Sequence, residues 1–250
     1  IPYNDIEALE NVLKSTKNVA GFLVEPIQGE AGVYTPNSDY MTKVQQLCNQ
    51  YNVLFIADEI QTGIARTGSL LAVCGNCSCE NKCEKQATYA QPDILILGKA
   101  LSGGVYPVSA VLANNNIMNV IKPGQHGSTF GGNPIAAAVA MAALEVIYDE
   151  NLPQNARALG ELFRQEMNKY IANSNIATLV RGKGLLNAIV INDTEESDTA
   201  WNICVRLMEE GLLAKPTHGN IIRFAPPLVM TEEQLLDCIR IITGVLQEFE

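Results

Sequence analysis

Short runs of aliphatic residues alternate along the first half of the chain with stretches whose apolar positions recur every third or fourth residue. The run Ala20-Gly21-Phe22-Leu23-Val24 and a second run, Val53 to Ala57, bracket a stretch from about Asp39 to Asn52. That stretch places Met41, Val44, Leu47, Cys48 and Tyr51 on one helical face, the pattern of a helix laid against a sheet. Strand, helix and strand in this order predict parallel pairing. Runs at Ile94 to Leu97 and Val108 to Ala113 extend the sheet, and their nearly continuous apolar character predicts strands covered on both faces.

From about Asn133 the helical patterns lengthen, with Pro134 suited to a first helical position and a break at Asn151-Leu152-Pro153. Residues 1–150 therefore read as a layered α/β domain and 151–250 as a smaller α+β domain. The second domain is expected to hold a helix at 153–172, strands at 176–181 and 185–191, and a helix at 198–210 stopped by Gly211. A strand from Ile221 to Phe224 follows, then a last helix opened by the capping-box signature Thr231-Glu232-Glu233-Gln234.

Composition narrows the classes that remain. A chain of 250 residues with 47% hydrophobic content can bury one large core or two smaller ones. Its 27 acidic against 17 basic residues give a net charge of −10, which repels a phosphate backbone and excludes nucleic acid as a partner. The longest apolar stretch, Ile135 to Leu144, is ten residues; spanning a bilayer takes about 18 or more, so no membrane segment is expected. The start, Ile1-Pro2-Tyr3-Asn4-Asp5, shows no initiator methionine, basic region or apolar core, so no targeting signal can be read and the chain reads as a fragment.

Three of the predicted strands end in polar groups: Glu25 after Val24, Asp58 (with Glu59) after Ala57, and Lys99 after Leu97-Gly98. Ligands of open α/β sheets bind beyond the carboxyl ends of the strands. A lysine and two carboxylates on one rim are the inventory of a pyridoxal phosphate site, where the amine forms a Schiff base and an aspartate keeps the pyridine nitrogen protonated. Gly127-Ser128-Thr129-Phe130-Gly131-Gly132-Asn133-Pro134 adds two hydroxyls and permissive glycines just before a helix, the chemistry of a phosphate-binding turn. Taken one at a time, these residues are more often a solvated loop lysine, an acidic helix start and a flexible turn.

Together they resemble the class III aminotransferases of pyridoxal phosphate fold type I, over nearly the whole chain. The resemblance runs through Glu25-Pro26-Ile27-Gln28-Gly29-Glu30-Ala31-Gly32, Asp58-Glu59-Ile60-Gln61-Thr62-Gly63 and Gly98-Lys99-Ala100-Leu101-Ser102-Gly103-Gly104. It continues in His126 to Pro134, in Arg181-Gly182-Lys183-Gly184-Leu185-Leu186, and in Lys215-Pro216-Thr217-His218-Gly219 leading to Ile222-Arg223-Phe224-Ala225-Pro226-Pro227. It implies the fold type I large domain, with a mainly parallel sheet, followed by a small C-terminal domain. It implies Lys99 as the Schiff-base lysine and proton shuttle, Asp58 as the partner of the pyridinium nitrogen, Gln61 on the ring's 3-hydroxyl, and Ser128 and Thr129 on the phosphate.

Thr129 would act in the neighbouring subunit's site, so the resemblance also implies a homodimer with shared active sites. Arg223 would clamp a substrate carboxylate, Glu30 would pair with Arg223 when no such carboxylate is there, and Glu25 would neighbour them. The reaction implied moves the δ-amino group of L-ornithine to 2-oxoglutarate, giving glutamate 5-semialdehyde and glutamate. Enzymes acting on acetylornithine or 4-aminobutyrate, and a mutase of the same fold, share the lysine and aspartate. The family's N-terminal part, with the phosphate cup and the aromatic that stacks on the ring, would lie upstream of Ile1, leaving this chain inactive by itself.

One stretch departs from the family, a run of four cysteines at Cys74, Cys77, Cys79 and Cys83, read as an insertion over about 70–90. It fits a thiol–disulfide element served by a disulfide reductase, a zinc site, or a passive loop; a single compact cluster is poorly shaped for four tetrahedral ligands, so no metal is assigned. A redox- or zinc-responsive module on a degenerate aminotransferase core is the non-catalytic alternative. Cys48, Cys204 and Cys238 fall on apolar helical faces and read as buried thiols, and an odd total of seven cysteines speaks against a secreted disulfide framework. A reducing compartment follows, cytoplasmic or, alternatively, the mitochondrial matrix. Trp201 reads as a packing residue, and His126 and His218 as turn residues without a catalytic part.

Overall fold

The computed structural model describes residues 1–74 and 90–250, in two compact units. Unit 1 comprises Ile1–Pro26, Pro36–Ile64 and Leu71–Asp149; unit 2 comprises Ile27–Thr35, Ala65–Leu70 and Glu150–Glu250. Among the described residues no helix is long and apolar enough to cross a membrane.

Unit 1 contains, in order, α1 (Ile6–Ser15), β1 (Gly21–Val24), α2 (Tyr40–Gln50), β2 (Leu54–Asp58), β3 (Ile94–Leu97), β4 (Ala110–Ala113), α3 (Asn115–Met118) and α4 (Pro134–Asp149). The sheet order is β1-β2-β3-β4. β1, β2 and β3 are parallel, and β4 runs antiparallel to β3. The reversal has a simple cause: residues 98–109 carry a 3-10 turn but no crossover helix, and a parallel return requires one. Leu9 and Leu13 of α1 with Tyr40, Met41, Val44 and Cys48 of α2 bury Val24, Phe55 and Ala57. Strand side chains alternate between faces, so Leu54, Ile56 and Asp58 point away from these two helices.

On that second face Leu23 is 58% exposed and Val111 56% within this chain, since α1 and α2 both lie on the other face. Helix α1 was not anticipated from the pattern, although Asp5 caps it by accepting from the Ala8 N–H at 2.8 Å.

Unit 2 adds α5 (Leu152–Ile171), β5 (Ala177–Lys183), β6 (Leu186–Ile191), α6 (Thr199–Glu209), β7 (Lys215–Thr217), β8 (Ile221–Phe224) and α7 (Glu232–Gln247). Its sheet is antiparallel in the order β5-β6-β8-β7. Phe163, Met167, Ile189, Ile203, Leu207, Ile222 and Ile242 form the core between that sheet and the three helices. On another face Ile27 and Val33 pack with Leu186, Ala188 and Ile221, which ties segment 27–35 to this sheet. The capping box at Thr231 and Gln234 forms as the sequence predicts.

Two expectations fail here. Trp201 is 60% exposed on α6 and is no core residue, and Cys238 is only half-buried. Cys48 and Cys204 are buried, and desolvation pushes their thiols up to about 11 and about 12, out of reach of thiolate chemistry at neutral pH.

Helix α5 approaches the β5–β6 turn closely at Gly160, where an added Cβ would lie 1.9 Å from the Gly184 carbonyl oxygen. Only glycine tolerates that contact. Gly160→Ala is expected to lower stability by about 2 kcal/mol, the usual cost of overpacking, despite alanine's better helix propensity. Urea unfolding measures this directly, and an unchanged midpoint would show that the helix can retreat.

Candidate active site

In unit 1 the three parallel strands stop in step. Val24 is in register with Ala57, and Asp58 with Ile96, so Glu25, Asp58 and the turn beginning at Gly98 all lie at the carboxyl ends. The Glu59 N–H donates to the Ile96 carbonyl at 3.0 Å, which carries the β2–β3 pairing one residue past Asp58. Lys99 starts the 3-10 turn Lys99–Ser102 with φ of 45°, in the left-handed region that a non-glycine residue seldom occupies. Its side chain is exposed and makes no hydrogen bond or ion pair among the described residues.

The turn after β2 is built on its two acids. Asp58 Oδ1 accepts from the Ile60 N–H at 3.0 Å, an Asx-type contact that fixes the carboxylate at the strand end. Glu59 turns the other way and is 1% exposed. One of its oxygens accepts from the Thr62 hydroxyl, and the other from the Val73 N–H at 2.8 Å. Glu59 therefore closes the turn that carries Gln61 and ties it to the 3-10 turn Ala72–Cys74. Burial first, and the charge of Asp58 in addition, hold the Glu59 carboxyl above the usual carboxylate range, partly opposed by the Thr62 and Val73 hydrogen bonds. The sequence showed only an acidic pair; the signal that separates its members is the strand alternation, which sends successive residues to opposite faces.

Ser128 and Thr129 are exposed in the segment before α4. Ser128 Oγ accepts from the Gly131 N–H at 3.0 Å, and Asn133 Oδ1 accepts from the Ala136 N–H at 2.9 Å to cap α4. Glu25 follows β1, and its carbonyl accepts from the Tyr3 hydroxyl at 3.1 Å. Cys77, Cys79 and Cys83, with the side chain of Cys74, lie outside the described residues.

Unit 2 brings Glu30 and Arg223 together. Arg223 Nη1 lies 2.8 Å from Glu30 Oε2, and the other Glu30 oxygen pairs with Lys215 Nζ, a partner the sequence did not reveal. Lys215 first and Arg223 second hold the Glu30 carboxyl below its ordinary range. Behind Glu30, Arg181 Nε donates to the Gly32 carbonyl at 2.9 Å, and its guanidinium sits 3.9 Å over the Tyr34 ring.

Residues 2–246 match the family Aminotransferase class-III, and the chain belongs to that family. It is 55% identical to the mitochondrial ornithine aminotransferase of Rattus norvegicus, across 100% of this chain and 53% of the rat protein. Among solved structures it superposes with TM-score 0.90 on an acetylornithine aminotransferase from Elizabethkingia anophelis, at 65% identity, covering 100% of this chain and 59% of that one. It superposes with the same TM-score of 0.90, at 46% identity, on a structure on the redox regulation of Plasmodium falciparum ornithine δ-aminotransferase, covering 100% of this chain and 61% of that one. The chain spans about half the length of the curated relatives it matches.

The fold is accordingly the α/β fold type I of pyridoxal-phosphate-dependent enzymes, and the family uses that cofactor. The donor set in unit 1 fits it: a carboxylate fixed at a strand end, an unpaired amine beyond the neighbouring strand, a glutamine in the same turn and hydroxyls before a helix.

The buried acid gives a pH test. Because folding raises its pKa, Glu59's contribution to stability is fullest below its unfolded value, about pH 4 for a free glutamate, and declines as pH rises through the folded value. Glu59→Gln keeps an acceptor for Val73 and removes the ionisation, so its urea midpoint should lack that decline. Glu59→Ala leaves the Val73 N–H unpaired and should lose about 1–3 kcal/mol. Parallel pH curves for wild type and Glu59→Gln would contradict the assignment.

Proposed function

We propose that the chain is part of an aminotransferase that moves the δ-amino group of L-ornithine to 2-oxoglutarate, forming glutamate 5-semialdehyde and glutamate. The observation that carries the chemistry is the common rim of β1, β2 and β3, with Asp58 fixed at its centre and the Lys99 amine unpaired beside it in the chain's topology. Pyridoxal phosphate, when bound, would supply an electron sink for the carbon that bears the reacting amine, Cδ in the case of ornithine. Asp58 holds the proton on the ring nitrogen, which that sink requires. Lys99 anchors the cofactor and then carries the proton to and from the substrate. Gln61 bonds the ring's 3-hydroxyl, and Ser128 and Thr129 hold the phosphate, Thr129 across the interface of a homodimer. Residues 1–150 form the cofactor-binding part, with the cysteine-rich insertion at about 70–90, apart from the segments 27–35 and 65–70 that group with unit 2, and 151–250 form the smaller C-terminal domain.

For the substrate, the supporting observation is the Glu30–Arg223 pair. A guanidinium already neutralised by a carboxylate accepts a substrate end that has no α-carboxylate, as at the δ-amine of ornithine. Once freed, the same guanidinium binds a 2-oxo acid bidentately. Acetylornithine is the second reading, favoured by the 65% identity to the Elizabethkingia structure, and 4-aminobutyrate a third. Of the two compartments, the mitochondrial one has the support of the rat relative's name, which says mitochondrial.

The cysteines Cys74, Cys77, Cys79 and Cys83 form a redox element open to a thiol–disulfide reductase, a reading supported by the subject of the Plasmodium falciparum structure. Replacing Cys74 and Cys83 by serine is expected to abolish any response of activity to thiol reductants; an unchanged response would remove the redox reading. For the main reaction, the full-length protein loaded with cofactor should lose its visible absorbance band on adding L-ornithine and regain it with 2-oxoglutarate. A protein that responds to N-acetylornithine and not to ornithine belongs to the second reading, and one that responds to neither has lost the chemistry.

A further inference from the structure

The geometry points to Lys215 as a positioning residue for dicarboxylate binding: it receives the Glu30 carboxylate when a ligand carboxylate takes that group's place on Arg223. The inference rests on Arg223 as the carboxylate clamp. Lys215 on β7 and Arg223 on β8 are directly opposite in the antiparallel register, so two cations share one side of the sheet. Like charges in that relation are destabilising unless something neutralises them. Glu30 lies between them, with one oxygen toward each. Both cations therefore share the Glu30 carboxylate, and a ligand carboxylate that takes its place on Arg223 leaves Glu30 to Lys215. A dicarboxylate ligand can use Arg223 fully only if Glu30 has somewhere else to bond.

The backbone beneath Glu30 is fixed, so the exchange falls to the side chain. Gln28 and Tyr34 trade backbone hydrogen bonds of 3.1 and 3.0 Å that close the 28–34 loop. Gly32, at φ of 123°, is pressed so closely that an added Cβ would lie 2.7 Å from Ile221 Cδ1. Arg181 grips the same loop through the Gly32 carbonyl and the Tyr34 ring. Exposure orders the two cations. The Arg223 side chain is 15% exposed against 55% for Lys215 and 58% for Glu30, so Arg223 is the sheltered binding group and Lys215 the outer resting place.

The test uses glutarate, a dicarboxylate with no carbonyl to react, and calorimetric Kd values for the full-length holoenzyme at physiological ionic strength. Lys215→Ala should weaken glutarate by about fivefold, the scale of an exposed ion pair, and Lys215→Arg should stay within about twofold of wild type. In a Glu30→Ala background the Lys215→Ala change should lose its effect, since nothing then has to move aside. An unchanged Kd in Lys215→Ala overturns the inference, and so does an undiminished loss in the Glu30→Ala background, which would put Lys215 on the ligand itself. Arg223→Ala separates the two levels. If it leaves glutarate binding intact, the clamp reading falls and takes this inference with it; if it abolishes binding while Lys215→Ala is neutral, only the inference falls. Thermal midpoints show whether each variant is folded, and the Lys215→Arg rescue distinguishes charge from packing.

Discussion

Everything proposed for the chemistry depends on the register between β2 and β3. Asp58 pairs with Ile96, and the Glu59 N–H to Ile96 carbonyl bond extends the ladder to the last residue before the turn. A slip of one residue would exchange the faces of Asp58 and Glu59, burying the acid meant for the rim and exposing the one meant for the interior. Burial specifies that register, since Phe55 and Ala57 have no exposure and no place on the opposite face. Beyond β3, Lys99 takes a left-handed backbone that L-residues adopt at a cost of about 1–2 kcal/mol. Strain at an exposed lysine with no hydrogen bond or ion pair among the described residues is consistent with the role proposed for Lys99.

Unit 2 works by charge balance on a sheet face. Arg223 and Lys215 are placed opposite each other by the short β7–β8 pairing, and the carboxylate from the 28–34 loop bonds both of them. Arg181 and Gly32 hold the loop so that the carboxylate reaches both. The same balance leaves a sheltered guanidinium paired with an exposed carboxylate, which suits the binding role proposed for Arg223.

Most of the architecture was legible because burial repeats at fixed periods. The helix starting at Pro134, the strand Ile221–Phe224 and the capping box at Thr231 all follow from local chemistry that tertiary structure left alone. What the pattern missed has physical causes. β7 is three residues long and contains Pro216, which reads as a strand breaker and is accommodated because β7 lies at the sheet edge. The direction of β4 depends on the connection before it, not on its own residues. Trp201 lies on a helical face that the sequence cannot distinguish from the buried one by residue type, and the structure leaves it exposed. In the candidate site, Asp58 and Lys99 were legible from strand ends, whereas Glu59's burial and Lys215's pairing with Glu30 join residues through space and leave no trace in spacing.

The most direct measurement is borohydride reduction of the full-length protein loaded with pyridoxal phosphate, followed by peptide mass spectrometry. The account predicts a single phosphopyridoxyl group, carried on Lys99, and none when that residue is alanine. A reduced adduct on another lysine, or no adduct in a protein that retains the cofactor, would contradict the assignment of the rim as the reacting centre.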